Sequence, residues 1–196
     1  MGRIDVLKQK VDFIYKEASA NSDSWIDWGY PNHVLKVVHY AEQLAYRFKG
    51  NIEFVVAGAL LHDIADAVMP RGGAEHQQKS EVMAKELLTD CEFSDAETAV
   101  IINDVIAPHS CREGAPEMVE GKILATADAM AHLLTDFYVV FCWRHYGAAG
   151  NDLSYKQYKE WVLKRLEKDF HRKIQFDEVR KETLPSYSAL KQVFSQ

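Results

Sequence analysis

Apolar residues recur at three- and four-residue intervals along most of the chain, while alternating runs bounded by turn pairs are nearly absent. That periodicity belongs to helices rather than strands and predicts an all-α fold of roughly six to eight helices. The first is expected from about Ile4 to Ala18, and a polar stretch, NSDSWIDWGYPN, leads into a second from about His33 to Phe48, punctuated by Gly50-Asn51. The segment Ile52 to Ile64, IEFVVAGALLHDI, is apolar nearly all round, the mark of a helix buried on most sides. After a Pro70-Arg71-Gly72-Gly73 loop come a helix from about Glu75 to Leu88 and another that begins near Ser94, whose hydroxyl can cap it, and stops before Pro108.

From Glu117 to about Tyr146 the stripe Ile123, Ala127, Met130, Leu134, Phe137, Phe141 steps by alternating four and three residues, predicting one long core-facing helix with Asp128 beside its apolar face. The remainder is more charged. It reads as one long amphipathic helix from about Leu153 to His171, then a tail with Pro185 and a shorter terminal helix. No repeat or low-complexity tract interrupts the pattern, and 196 residues suit a single domain spanning residues 1–196.

Composition narrows the function classes. With 47% hydrophobic and 27% charged residues the chain is that of a soluble globular protein. The net charge of −6 and the scattered basic residues argue against a grip on a nucleic-acid polymer. Small anionic ligands stay open, since one metal or a local Arg/Lys cluster binds them. Cys91, Cys111 and Cys142 are widely spaced and form no CxxC, so they read as reduced thiols rather than a disulfide framework or a thiolate zinc site. No signal-like apolar region opens the chain, Phe54 to Leu61 is too short to span a bilayer, and Gly2 lacks the Ser or Thr of a myristoylation signal; a cytoplasmic, membrane-free protein is expected.

The chemistry concentrates where polarity breaks apolar surroundings. His62 and Asp63 close the most apolar helix, where an imidazole and a carboxylate are costly unless something pairs with them. Asp128 poses the same problem between alanines, and His33 opens the neighbouring helix, its position at the helix start favouring it over His39. Two imidazoles and two carboxylates from three helices make a first shell for Mn, Fe, Co, Ni or Zn, with hard Mg less natural.

In this order His33, the pair His62-Asp63 within ALLHDI, and Asp128 within EGKILATADAM resemble the H...HD...D signature of the HD superfamily. The stretches IAPHS, Ile106 to Ser110, and EHQQKS, Glu75 to Ser80, are also similar to predicted HD hydrolases of about this length. The resemblance spans about residues 30–145, leaving a C-terminal helical extension over about 150–196. It implies an HD-like helical bundle and a phosphohydrolase that cleaves a phosphate ester or anhydride, commonly of a nucleotide, with a metal-activated water. Asp63 and Asp66 are then candidate catalytic carboxylates, Asp66 as the group that accepts or relays the water's proton. Arg71, Lys79 and Arg112 are candidates for neutralising phosphate charge.

His76 and His109 fall in the interval where some members of that family bind a second metal, which opens an alternative: a two-metal site, or with iron a di-iron oxygenase. A non-catalytic nucleotide-binding module is the reading from another class. Trp25, Trp28 and Tyr30 read mainly as packing, with stacking on a nucleobase as the functional alternative. His132, His145 and His171 read as structural or solvated residues.

Overall fold

The computed structural model describes residues 2–20, 26–71, 73–142 and 154–196; Trp25, His145 and the end of the helix expected to reach Tyr146 lie outside them. All regular structure among the described residues is helical. Helix α1 spans Arg3–Ala20, α2 Ile26–Gly29, α3 Leu35–Phe48, α4 Ile52–Leu61, α5 Gly73–Asp90 and α6 Asp95–Val100. Then follow α7 Val119–Leu133, α8 Phe137–Cys142, α9 Tyr155–Lys168 and α10 Asp177–Ser195.

Helix α4 is the centre of the fold, as its all-round apolarity requires: every side chain from Val55 to Leu61 is buried. It starts where Asn51 accepts from the amides of Glu53 and Phe54, an N-cap, and Glu120 Oε1 of α7 takes the Asn51 amide at 2.9 Å. Helix α3 packs along both α4 and α7, and α1 packs on α4. Between α3 and α4 the chain turns through Lys49 in the left-handed region, not through Gly50. Gly50 is small for another reason: a Cβ there would stand 2.6 Å from Ile123 Cδ1 of α7.

Several elements depart from the periodic reading. The second helix starts earlier: α2 runs through a π turn at Tyr30–Val34 into α3. The helix capped by Ser94, with its capping box to Glu97, passes through a second π turn at Ile101–Ile106 and a 3-10 turn at Ala107–Ser110. The long helix from Glu117 breaks after Leu133, because Thr135 Oγ1 bonds back to the Ala131 carbonyl at 2.6 Å and accepts the Phe137 amide at 3.2 Å. An apolar stripe cannot register this break, since Phe137 stays in the core on both sides of it.

At the C-terminus, α9 runs into a third π turn, Asp169–Lys173. The terminal helix is not the shorter one: α10 continues through Pro185 for 19 residues. Leu184 and Pro185 face solvent, where water can take the Lys181 carbonyl that a proline four residues later leaves without a donor.

Candidate metal centre

Three segments deliver polar side chains into the space where α3, α4 and α7 meet. His33 sits in the first π turn, and such turns, costly to form, recur at functional sites. His62 caps the C-terminus of α4, and Asp63 leaves the helix there (φ −128°, ψ 30°), so its carboxylate lies beside the negative end of the α4 dipole. That placement favours a cation. Asp128 and His132 lie four residues apart on α7 and therefore share one face.

All of these groups are buried, and their free atoms converge. Asp128 Oδ1 stands 3.2 Å from His132 Nε2, 3.4 Å from His33 Nε2 and 4.0 Å from His62 Nε2. His62 Nε2 is 3.3 Å from Asp63 Oδ2. The rings of His33 and His132 stack at 4.9 Å, and the His62 ring meets His33 and His109 edge-on at 5.6 and 5.2 Å. Three overlapping groups have geometry suited to an ion: His33, Asp128, His132; His33, His62, Asp63; and His62, His109, Asp128.

The far side of each ring decides which nitrogen carries the proton. His62 Nδ1 donates to the Ala59 carbonyl at 2.9 Å, His109 Nδ1 to the Ile106 carbonyl at 2.6 Å, and His132 Nδ1 to Asp169 Oδ2 at 2.8 Å. In each neutral ring Nε2 is left with a lone pair. Burial keeps the rings neutral: it holds His62 down to about 3 and His132 to about 4, and pushes His33 and His109 well below the ordinary imidazole range.

The lone pairs of His62 and His132 have no hydrogen-bond donor. His33 Nε2, His62 Nε2, His132 Nε2 and Asp128 Oδ1 are buried without a hydrogen bond. A polar atom left so costs about 1–3 kcal/mol, and acceptors gathered around one point are relieved by a cation rather than by one another. The residues thus fit a divalent metal, with the imidazole-rich donor set suited to transition ions over Mg.

The second ring of contacts includes residues far along the chain. Lys173, itself buried, pairs with Asp128 Oδ2, and burial pushes its ammonium down to about 7. Arg71 pairs with Asp63 and stands 3.9 Å from Asp66. Burial lowers its guanidinium to about 9, which leaves it charged at neutral pH. Tyr15 donates to the Asp63 carbonyl at 3.2 Å, steadying that backbone.

The structure brings His33, His62, Asp63, Asp128, His109 and Arg71 together, but not every residue expected beside them. His76 turns to Asp66, their Nε2 and Oδ1 2.7 Å apart, and neither enters the potential ion-binding groups among the described residues. Burial raises Asp66 well above the carboxylate range and lowers His76 to about 4. Asp66, engaged by His76 and favouring its protonated form more than an ordinary carboxylate does, is thus not a free base. Lys79 faces solvent on α5, and Arg112 lies in the wall of a 620 Å³ cavity with Gln77, Asn103 and Ser110.

Trp28 packs on Phe137 and Tyr30 stacks on Tyr15 at 4.3 Å, as packing requires. His39 is exposed and bonded to Gln43; His171 is half-exposed beside Glu167. His132 was expected to be structural, but its spacing of four from Asp128 on one helix was the available signal that it faces the same cavity. Asp169 and Lys173 gave no such signal.

No membrane-length apolar helix occurs among the described residues. No curated protein and no solved structure matches the chain. The family model described as HD domain matches residues 30–133, more than half of the chain and the segment holding His33, His62, Asp63, Asp128 and His132. HD domains bind divalent metals and generally act as metal-dependent hydrolases, which agrees with a buried cluster of His and Asp donors. The chain therefore belongs to the HD domain family.

Proposed function

We propose that the protein is a metal-dependent phosphohydrolase that cleaves a phosphate ester or anhydride of a small phosphorylated metabolite, nucleotides being the first class to test. The observation that carries this reading is the convergence of His33 Nε2, His62 Nε2 and Asp128 Oδ1 beside Asp63, each histidine neutral and none of the three atoms hydrogen-bonded. A divalent ion held there would polarise a phosphoryl oxygen and lower the pKa of an attacking water.

The protein's own side chains supply the rest. His62 is aimed by the Ala59 carbonyl, and Asp63 is anchored by Arg71 on its carboxylate and Tyr15 on its backbone. Arg71, charged and paired with Asp63, is placed to offset phosphate charge. The Asp66–His76 pair shares a buried proton beside Arg71 and suits a relay of the proton released from water rather than its first acceptance. A second reading, a two-ion site with iron-dependent oxygen chemistry, draws support from the group His62, His109, Asp128. The engagement of His76 by Asp66 weighs against it.

The test is phosphate or pyrophosphate release from a panel of nucleotides and phosphomonoesters with added Mn, comparing the parent with Asp63→Ala prepared identically. Release lost in the variant is expected. Equal release from both preparations marks a contaminant and removes the proposal. Oxygen uptake by the iron-loaded protein without release would favour the second reading, and nucleotide binding without turnover a binding module.

A further inference from the structure

We propose that His132 is a further ligand of the metal centre, held in its donor form by Asp169 and Tyr138, while Lys173 fixes Asp128 so that one carboxylate oxygen faces the ion. The proposal rests on the metal reading above and extends the site to residues 138, 169 and 173, outside the segment that the HD family model matches.

The argument starts from Asp169. Its carboxylate is fully buried in the third π turn, and Oδ2 accepts from two donors, His132 Nδ1 at 2.8 Å and Tyr138 Oη at 2.5 Å. Arg165 Nε stands 3.5 Å from the same oxygen. A buried carboxylate that takes the Nδ1 proton of an imidazole leaves Nε2 as the lone-pair donor and fixes the plane of the ring. The plane so fixed lies 8° from that of His33, and both Nε2 atoms face Asp128 Oδ1.

A purely structural His132 would have its second nitrogen satisfied or packed on carbon. It is instead buried without a hydrogen bond, 3.2 Å from Asp128 Oδ1, and with His33 and Asp128 it forms a group whose ligand atoms lie close enough together to share one ion. Lys173 is the nearest protein cation, yet it occupies Oδ2, on the other side of the carboxylate. Asp128 is thus divided: one oxygen is neutralised by the C-terminal π turn, and the other is left to the imidazoles.

The C-terminal extension would therefore act as part of the metal centre, Asp169 and Lys173 being positioning residues and His132 a ligand. This contribution is separable from catalysis, because it acts on affinity and coordination before any substrate is present.

The test is Co²⁺ titration of metal-stripped parent, His132→Gln, Asp169→Asn and Tyr138→Phe, read by calorimetry and by visible ligand-field absorption. Apo folding is checked by circular dichroism. The parent is expected to bind Co²⁺. His132→Gln should lose at least about tenfold in affinity and change its bands, and Asp169→Asn should lose about 10–100-fold, as for the outer partner of a metal histidine. Tyr138→Phe, which leaves the carboxylate in place, should shift affinity a few-fold in the same direction.

Parent-like affinity and bands in folded His132→Gln would overturn the proposal. If that variant and Asp169→Asn fail to fold, unchanged Co²⁺ affinity in Tyr138→Phe overturns it instead. A parent that binds no Co²⁺ would sink the metal reading itself, a different failure from a parent that binds and variants that match it.

Discussion

Acid should destabilise the metal-free protein far more steeply than an ordinary helical domain, and the reason is the neutral state of its buried histidines. His33, His62, His109 and His132 are held well below 6.5 in the fold, His62 at about 3 and His132 at about 4. Above about pH 6.5 such a ring is neutral in both states and contributes nothing to the pH dependence. Below it, only the unfolded chain takes up the proton, so stability falls as pH falls, until the folded pKa is reached.

At about pH 5 the gap is near 1.5 units for each ring, or about 2 kcal/mol, so four rings set a ceiling of about 8 kcal/mol. They share one cavity, and the first to gain a proton opens it to water; about half the ceiling, or about 4 kcal/mol, is the expected loss. The other buried groups do not cancel it. The raised Asp66 and lowered His76 face each other and offset one another's proton uptake. Lys173, at about 7, adds less than about 0.5 kcal/mol to the loss over this range, and Asp169, held near 2 by His132 and Arg165 despite its burial, acts only at lower pH.

The assay is urea unfolding of chelator-treated protein at about pH 7 and pH 5. With a slope of about 2 kcal/mol per molar, the midpoint should drop by about 2 M. A midpoint that moves by less than about 0.5 M would refute the claim that these four imidazoles stay neutral in the fold. Added metal should restore the midpoint at pH 7 and lose this effect on acidification, because protons and metal compete for the same lone pairs.

Two structural substitutions probe the packing around the site. Gly121→Ala places a Cβ 2.4 Å from the Asp104 carbonyl oxygen and 2.9 Å from Pro116 Cβ, so α7 must move off the second π turn. Overpacking of about 1–3 kcal/mol should outweigh the helix-propensity gain of about 1 kcal/mol, seen as a lower urea midpoint; a higher one contradicts the packing described. Arg3 clamps Glu53 of α4 and Glu97 of α6 with paired bonds of 2.6–3.0 Å and lies over the Phe93 ring. Arg3→Ala should cost about 1 kcal/mol at low ionic strength and less in high salt, and a cost that salt does not reduce would place the contribution in packing on Phe93.

The cost of burying charge singled out His62, Asp63 and Asp128, because each interrupts an apolar stretch, whereas His33 was singled out by its place at a helix start and by the resemblance to the HD signature. His132 could also have been read from its register with Asp128, since positions four apart share a helix face. The C-terminal contribution could not. Asp169 and Lys173 sit in a charged segment whose pattern says only that one face is apolar, and their burial depends on how α9 and its π turn dock against α7.

The three π turns were equally hidden, because each needs one extra residue per turn that tertiary packing supports and local sequence does not announce. They matter here, since one carries His33, another accepts the His109 proton through Ile106, and the third presents Asp169 and Lys173. The break after Leu133 was masked by an apolar stripe that continues across it, and the exposed face that tolerates Pro185 is visible only once α10 is docked.

The central claim, a divalent metal among His33, His62, Asp63 and Asp128, is tested most directly by anomalous diffraction at the cobalt edge from crystals of the Co²⁺-loaded protein. The account predicts a peak in the buried cleft between α4 and α7, within about 2.0–2.2 Å of His62 Nε2 and Asp128 Oδ1. A peak confined to surface sites such as His39, with that cleft empty at saturating Co²⁺, would contradict it.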